Sequence, residues 1–452
     1  MVVQREDFVG ATKNAISGFG FPPEAAMVIF PVGLFLVGSD LAPIGRSIDL
    51  FIQGLTEWKP TAWGAGRVDP PAIEIRGTSY EGNFTRMNDI FLRKRWGDGL
   101  PLLPPVEERV EWILRGTDHP ADAQVGKILP QGRIATVKTV AVSLAMAGGR
   151  PEYLPVLIAA VEALVNPGLA HHAWQATSAS IFPAVIVNGP VAGQIRLNSG
   201  FGLLGPDALH PAGGLIGRAL RLLQQNVGGA VPGVGTMSQF GGMRYTNAVF
   251  AEDEEGLPPG WEPLNVEYFG ATRGENSVAF YPVSSAVNIT RRGTGKETAE
   301  EEALGSLYRI AAFMETPNVG GLKGYAEGAP GILLLSSIAA RQLSDLGWTK
   351  EKIKEFLWEN SRIPVAKLKR TGMLYYLQAA GFDVRNLPDP WPIARQARNL
   401  MIVVAGGRHP TQAYWMQGAQ GPKAVSASIR LPARWEKLLQ EAEAEMGPLP
   451  VG

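Results

Sequence analysis

Two histidines stand side by side in the stretch "GLAHHAWQATSASIFPAVIVNGP" (Gly168 to Pro190), in a 452-residue chain with five histidines and no cysteine. Without a thiol, proton transfer near neutral pH falls to imidazole and carboxylate. Disulfides, thiolate metal ligands and a cysteine nucleophile are excluded for this chain. On a strand His171 and His172 would face opposite ways, and on a helix they would sit ~100° apart. At most one of them therefore points into a given site. No His-x-x-x-His or His-Glu-x-x-His spacing occurs, so a local zinc motif is absent. Gln175, Thr177 and Ser178 follow closely, then a buried run ending at Asn188. Polar groups at the end of a buried α/β strand are where ligand sites form.

Carboxylates come next. "FAEDEEGLPPGWEPL" places Glu252, Asp253, Glu254 and Glu255 at a strand end, where alternation sends Glu252 and Glu254 to one side. A buried member of the four would serve as a general base or metal ligand, whereas a solvated acidic turn explains the others. "PAGGLIGRALR" supplies the candidate anion site. Gly213 and Gly214 allow close backbone approach at a helix N-terminus, and Arg218 and Arg221 share one side of that helix. The competing reading is tight helix packing with the arginines paired to acids. Asn198 and Asn226 stand near glycines and Asn247 just before an apolar run, and all three suit either left-handed turns or ligand orientation.

Two other glycine motifs are weaker. "GFGLLG" (Gly200 to Gly205) fits G-x-G-x-x-G, but Pro206 follows at once and no acid stands ~20 residues on. "RRGTGKET" has Glu297 where a phosphate loop needs Ser or Thr.

The elements that must position these groups follow an α/β grammar of buried strands, glycine turns and helices. "AIEIRG" reads as a strand, the "MVIF" and "LFLV" runs, broken by Pro31 and Gly33, as buried strands or a strand and turn, and "SIDLFIQGLTEW" as a helix. "VKTVAVSLAMAGG", "PEYLPVLIAAVEALVNP", "AGGLIGRALRLLQQNVGG", "TAEEEALGSLYRIAAFM" and "WTKEKIKEFLWEN" read as helices. "PAVIVNGP", "NAVFAEDEE", "SVAFYPVSSAVNI", "GILLLSS" and "NLMIVVAGG" read as strands. The expected fold is α/β, with mixed or parallel sheets flanked by helices, in units 1–88, 89–319 and 320–452. No internal repeat is visible, although "AVIVNGP" and "MIVVAGG" share a strand-to-turn form.

Lys plus Arg equals Asp plus Glu at 42 each, and no basic run occurs, which argues against a nucleic-acid partner. The most apolar stretch, Ala25 to Gly38, is short and broken by Pro31. The N-terminus lacks the order of a signal peptide. The expectation is a soluble cytoplasmic protein.

Several segments in this order, "DGLPLLPP", "AMAGGRPEYLPVLIAAVEAL", "HHAWQATS", "VIVNGP", "LNSGFGLLGP", "IGRALRLLQQNVGGAVPG" and "FAEDEE", resemble the large proteins grouped with the UGSC-type cysteine/selenocysteine family. The resemblance is densest from about residue 90 to 290. It implies a system in which a small domain carries a reactive cysteine or selenocysteine. In that pattern cysteines often stand at the positions of Gly149 and Leu203 here, so this chain departs from it. Either a partner subunit supplies the thiol or selenol, or the chemistry is not redox.

Two readings of function follow, with a third beside them. One is an enzyme subunit acting on a small carboxylated or phosphorylated molecule, lyase-, hydratase- or hydrolase-like, and part of an oligomer. In it Arg218 holds the anion, His171 or His172 moves a proton, and Glu252 or Glu254 is base or orienting acid. Gln175, Asn188, Asn198, Gly213, Gly214 and Asn247 line the site. The second is a non-catalytic scaffold or ligand-binding subunit. The third is a flavin- or nicotinamide-dependent oxidoreductase.

Overall fold

The computed structural model describes residues 1–36, 38–59, 61, 66–67, 69–244, 247–290, 293, 295–317, 329–419 and 423–448. At the N-terminus, β1 (Val2–Arg5) and β2 (Met27–Phe30) pair in parallel around α1 (Val9–Gly18). Of the two readings of the MVIF and LFLV runs, two strands or a strand and turn, the second is formed: MVIF is β2 and LFLV is not a strand. Its first residues form a 3-10 turn entered from Pro31, which supplies no backbone donor to a ladder. After α2 (Ala42–Arg46) comes α3 (Ile48–Thr56), a helix as its spacing predicts, yet none of its residues is buried. The AIEIRG stretch also forms no strand, because its alternation finds no neighbouring backbone to pair with. Helix α4 (Tyr80–Lys94) sends Met87 and Phe91 into the main core, so the body of the fold starts within the expected first unit.

Beyond α5 (Glu107–Leu114) and the β3 (Gln124–Ile128)/β4 (Arg133–Thr136) hairpin lie two core helices, α6 (Val137–Ala147) and α7 (Leu154–Leu164). Thr136 and Thr139 cap α6 reciprocally, and Gly148 ends it at φ 88°, the left-handed geometry glycine adopts cheaply. Helix α7 is buried at nearly every position, as its all-round apolar sequence requires. The short helix α8 (His171–Gln175) then leads into the main sheet.

That sheet has seven strands in the order β6-β5-β7-β10-β8-β9, with β11 (Val425–Ser428) paired to β7. Its first half is β5 (Phe182–Asn188), α9 (Val191–Gln194), α10 (Ala212–Asn226), β6 (Ala248–Ala251), α11 (Leu264–Phe269) and β7 (Ser277–Thr290). After α12 (Ala299–Met314), capped by Thr298 and Glu301, the second half repeats the plan. It comprises β8 (Gly331–Leu335), α13 (Ser337–Asp345), α14 (Lys350–Asn360), α15 (Val365–Arg370), α16 (Leu374–Ala379), β9 (Met401–Val404) and β10 (Gln412–Gly418). Helix α17 (Trp435–Met446) follows.

In each half a parallel pair (β5 with β6, β8 with β9) is flanked by a third strand antiparallel to its first member (β7, β10). The halves join through the antiparallel β7–β10 ladder. Equivalent bonds recur: Glu252 N–H donates to Val187 O at 3.2 Å, and Ala405 N–H to Leu335 O at 2.8 Å. The repeat is one of topology, which explains why it is silent in the residues. It also means that the expected boundary near 320, which falls among residues outside the described set, divides one continuous sheet rather than two units.

Strand alternation assigns the layers. Phe182, Ile186 and Phe250 of one half meet Ile332, Leu334, Met401 and Val403 of the other, so the sheet curls around a shared inner core. Val185, Val187 and Val249 face outward onto α6, α7 and α10. Leu333, Leu335 and Ile402 face outward onto α12, α13 and α14. The fold is α/β with mixed sheets flanked by helices. Among the described residues no helix is long and apolar enough to cross a membrane.

Candidate functional site

The C-terminal ends of β6 and β9 meet. Asp253 N–H donates to Val404 O at 2.7 Å, and Val404 N–H reaches Glu252 Oε1 at 3.4 Å. Glu252 is thus held where the two halves of the sheet join, its side chain wholly buried. Its other oxygen accepts from Leu264 N–H (2.7 Å), the first residue of α11, and from Asn188 Nδ2 (2.8 Å). Lys350 Nζ, at the start of α14, stands 3.6 Å away. Burial raises the Glu252 pKa above the usual carboxylate value, while Lys350, Asn188 and the two backbone donors pull it back. Lys350 continues inward contacts with Glu262 O (2.7 Å) and Glu267 (3.2 Å), and Glu267 pairs with Lys354. Two acids and two lysines therefore balance in one buried ladder.

Asn188 bridges from this ladder towards the surface. The same Nδ2 donates to Glu254 Oε1 at 2.9 Å, and Gly189 N–H donates to that oxygen at 2.7 Å. Glu252 and Glu254 are brought together by Asn188 rather than by strand alternation, because β6 ends at Ala251 and Glu254 N–H turns back onto Glu252 O at 3.0 Å. Glu254 is only half-buried, whereas Asp253 turns away to accept from Gly256 N–H.

The loop after α9 reaches the same end of the sheet. Asn198 O accepts from Ala251 N–H (2.9 Å), and its side chain organises the turn that follows. Asn198 Oδ1 takes Gly200 N–H, and Nδ2 donates to Phe201 O at 2.8 Å with Asp207 at 3.5 Å. The GFGLLG glycines lie in this turn between α9 and α10, not at a strand-to-helix junction, so the dinucleotide geometry is not formed. Asp207 accepts from the N–H groups of Leu209 (2.7 Å) and His210 (2.9 Å), and His210 Nδ1 lies 3.2 Å from its second oxygen. Partial burial raises the Asp207 pKa, but those backbone donors and His210 outweigh it and the net shift is down. The loop docks on the second half: Gly406 N–H donates to Ser199 O (2.8 Å), and the exposed Phe201 ring lies against Gly407. Ser336 Oγ donates to His409 O at 2.7 Å. Asn188, Asn198, Asp207, His210, Glu254 and the 405–409 loop therefore belong to one strand-end face.

Other expected site residues lie elsewhere. His171 and His172 are on α8, and only His171 points inward. It sits 3.4 Å from Gln175 Oε1, which also accepts from Gln224 Nε2 at 2.9 Å. His172 is exposed, its ring edge-on to Phe19. Gln224 stands seven residues beyond Gly217, whose carbonyl accepts from Asn247 Nδ2 where β6 begins. At 1.5 Å per residue that is ~10 Å further along α10. The His171–Gln175 seam thus occupies the end of the sheet opposite Glu252, and the histidine pair does not join the carboxylates. Asn247 is a left-handed turn residue at φ 52°, tied to α10.

The anion site on α10 is also corrected. Arg218 binds Asp98 in a two-pronged pair (2.7 and 3.0 Å) and donates to Pro101 O, so its anion is internal. Burial pushes the Asp98 carboxyl up, but Arg218 more than offsets this and holds it below its ordinary value. A Cβ on Gly213 would lie 2.4 Å from Val249 O, and one on Gly214 2.9 Å from the Pro206 ring. These glycines let α10 pack on β6 and on the preceding loop.

His210, Asp207 and Lys350 were missed. The Asp-x-x-His spacing of "DALH" was a usable signal, whereas nothing in "WTKEKIKEF" marks its first lysine as buried. Among the described residues no three histidines or carboxylates are grouped so as to hold a metal ion. The fold and face define an α/β protein with a polar strand-end site. Compared with protein-family models, curated proteins and solved structures, the chain matches none.

Proposed function

We propose that this chain is an enzyme, or the large subunit of one, that moves a proton on a small anionic molecule at the strand-end face. The Asp207–His210 pair carries the reading. A carboxylate on Nδ1 fixes the ring and its tautomer, leaving Nε2 as acid–base nitrogen for a bound molecule. Glu254, oriented by Asn188 and Gly189, is the second carboxylate of the face. Arg408 follows Gly407 and makes no ion pair among the described residues, so it takes the anion-holding role first expected of Arg218. The exposed Phe201 ring supplies an apolar wall. Such a set suits lyase- or hydratase-like proton transfer beside a carboxylate or phosphate, or hydrolysis.

The test is imidazole-labelled protein titrated with succinate, malate and inorganic phosphate, with His210 assigned through His210→Gln. At least one anion should move the His210 resonance, and Arg408→Ala should abolish the movement. Once a substrate is found, His210→Gln should lower turnover about 10²–10⁴-fold, the usual worth of a positioned acid–base group. A His210 signal unmoved by all three anions at millimolar concentration defeats the proposal.

A specific observation favours a second reading, a subunit that docks on another chain. Large apolar residues are exposed throughout residues 19–55, among them Phe19 (61%), Leu36 (65%), Leu41 (59%) and Leu55 (69%). A two-stranded sheet with α3 standing unburied beside it leaves apolar side chains uncovered, and grouped exposed apolar area of this kind marks association surfaces. A thiol- or selenol-bearing subunit, as the resemblance implies, would be one such partner, and a second copy another. Light scattering after gel filtration should give a mass above the 48.5 kDa of one chain. The double change Leu50→Glu, Leu55→Glu should return it to one chain, and a wild-type monomer would remove self-association.

A further inference from the structure

Far from the strand-end face, a cavity of about 490 Å³ opens between α4, α6 and the extended 70–75 segment. Its volume lies within the ~300–1,000 Å³ of small-molecule sites. The walls are mainly apolar: Pro70, Ile73, Phe91, Trp96, Val142 and Met146. The buried hydroxyls that line it, Thr139 and Ser143, are already spent on the backbone of α6: Thr139 Oγ1 donates to Thr136 O at 2.8 Å, and Ser143 Oγ to Thr139 O at 3.0 Å. They ask nothing of a ligand.

Two charged residues also line the cavity, Arg133 on β4 and Glu107 on α5. They are not equivalent. Glu107 is exposed in the first turn of its helix, where the free N–H groups and the dipole already favour negative charge. Arg133 is half-buried and forms no ion pair among the described residues. The uncompensated charge at this site is therefore positive, beside aromatic and aliphatic walls.

We infer that this cavity binds a small molecule with an apolar, aryl or alkyl body and an anionic head, the body against Trp96, Phe91 and Met146 and the head at Arg133. The site is independent of the strand-end chemistry and needs none of its residues.

Three probes share one body and differ in the head: 4-phenylbutyrate, 4-phenylbutanol and 4-phenylbutylamine. Titration calorimetry on the full chain should rank them in that order, with the acid at least tenfold tighter than the amine. Arg133→Ala should level the three while leaving the alcohol unchanged. Val142→Trp, which fills the cavity, should weaken all three at least tenfold. Ser143→Leu is a second filling variant should Val142→Trp fail to fold, folding being judged by an unchanged thermal unfolding midpoint. Acid binding that survives both filling changes in folded protein overturns the site. Equal affinity for acid and amine overturns the anionic head, and no binding of any probe overturns the inference whole.

Discussion

Replacing Glu252 by alanine should destabilise the protein by about 3–5 kcal/mol, the usual range when one member of a buried ion pair is removed. The reason is the number of donors that converge on one carboxylate. Leu264 N–H and Val404 N–H lose this acceptor, Asn188 Nδ2 is left with Glu254, and Lys350 is left with Glu267 as its counter-charge among the described residues. The loss falls where β6, β9, α11 and α14 meet, so it should appear in the global transition by urea unfolding rather than as local fraying. Glu252→Gln keeps one accepting oxygen but turns its amide towards donors, and should cost about 1–3 kcal/mol.

The pH dependence has a definite sign. The Glu252 pKa is raised in the folded chain by burial, against which Lys350 and its hydrogen bonds act. A raised carboxyl contributes stability that is fully present below its unfolded value, about 4.3, and is lost as pH rises through the folded value. The stability gap between wild type and Glu252→Gln should therefore narrow as pH climbs from about 4. A gap constant with pH would show that Glu252 keeps one protonation state throughout.

The second large effect concerns Gly213. Substitution by alanine should destabilise by about 3 kcal/mol, at the upper end of overpacking costs. The added methyl would meet a main-chain carbonyl of β6, Val249 O, at 2.4 Å, and neither α10 nor β6 can yield without disturbing Val185 and Ile216 behind them. Gly214→Ala meets only the edge of the Pro206 ring at 2.9 Å and should cost about 1 kcal/mol. Thermal or chemical unfolding of both variants separates the two interpretations of the glycine pair. If both fold with wild-type stability, helix packing is not their role and close approach of a ligand regains its case.

Much of the fold was legible in the residues. The run "PAVIVNGP" is apolar from Pro183 to Val187 because β5 is covered on both faces. "VKTVAVSLAMAGG" stops at Gly148 because only a left-handed residue ends α6 there. The Thr298–Glu301 cap and the all-round apolar α7 are local facts, and local facts survive folding. "AIEIRG" failed because a strand is a pairing, and its partner must come from elsewhere in the chain.

The site divided along the same line. The sequence by itself determined that no thiol chemistry is available to this chain and that only one of His171 and His172 turns inward. These follow from composition and from helical periodicity. Only the tertiary structure decided that Arg218 belongs to Asp98, which lies 120 residues away, that His171 sits at the opposite end of the sheet from the acids, and that Lys350 and Val404 of the second half complete the surroundings of Glu252. Charges and hydrogen bonds are settled by distances of a few ångströms between residues far apart in the chain. Those distances are set by how the two halves of the curled sheet close on each other, a relation that no local pattern encodes.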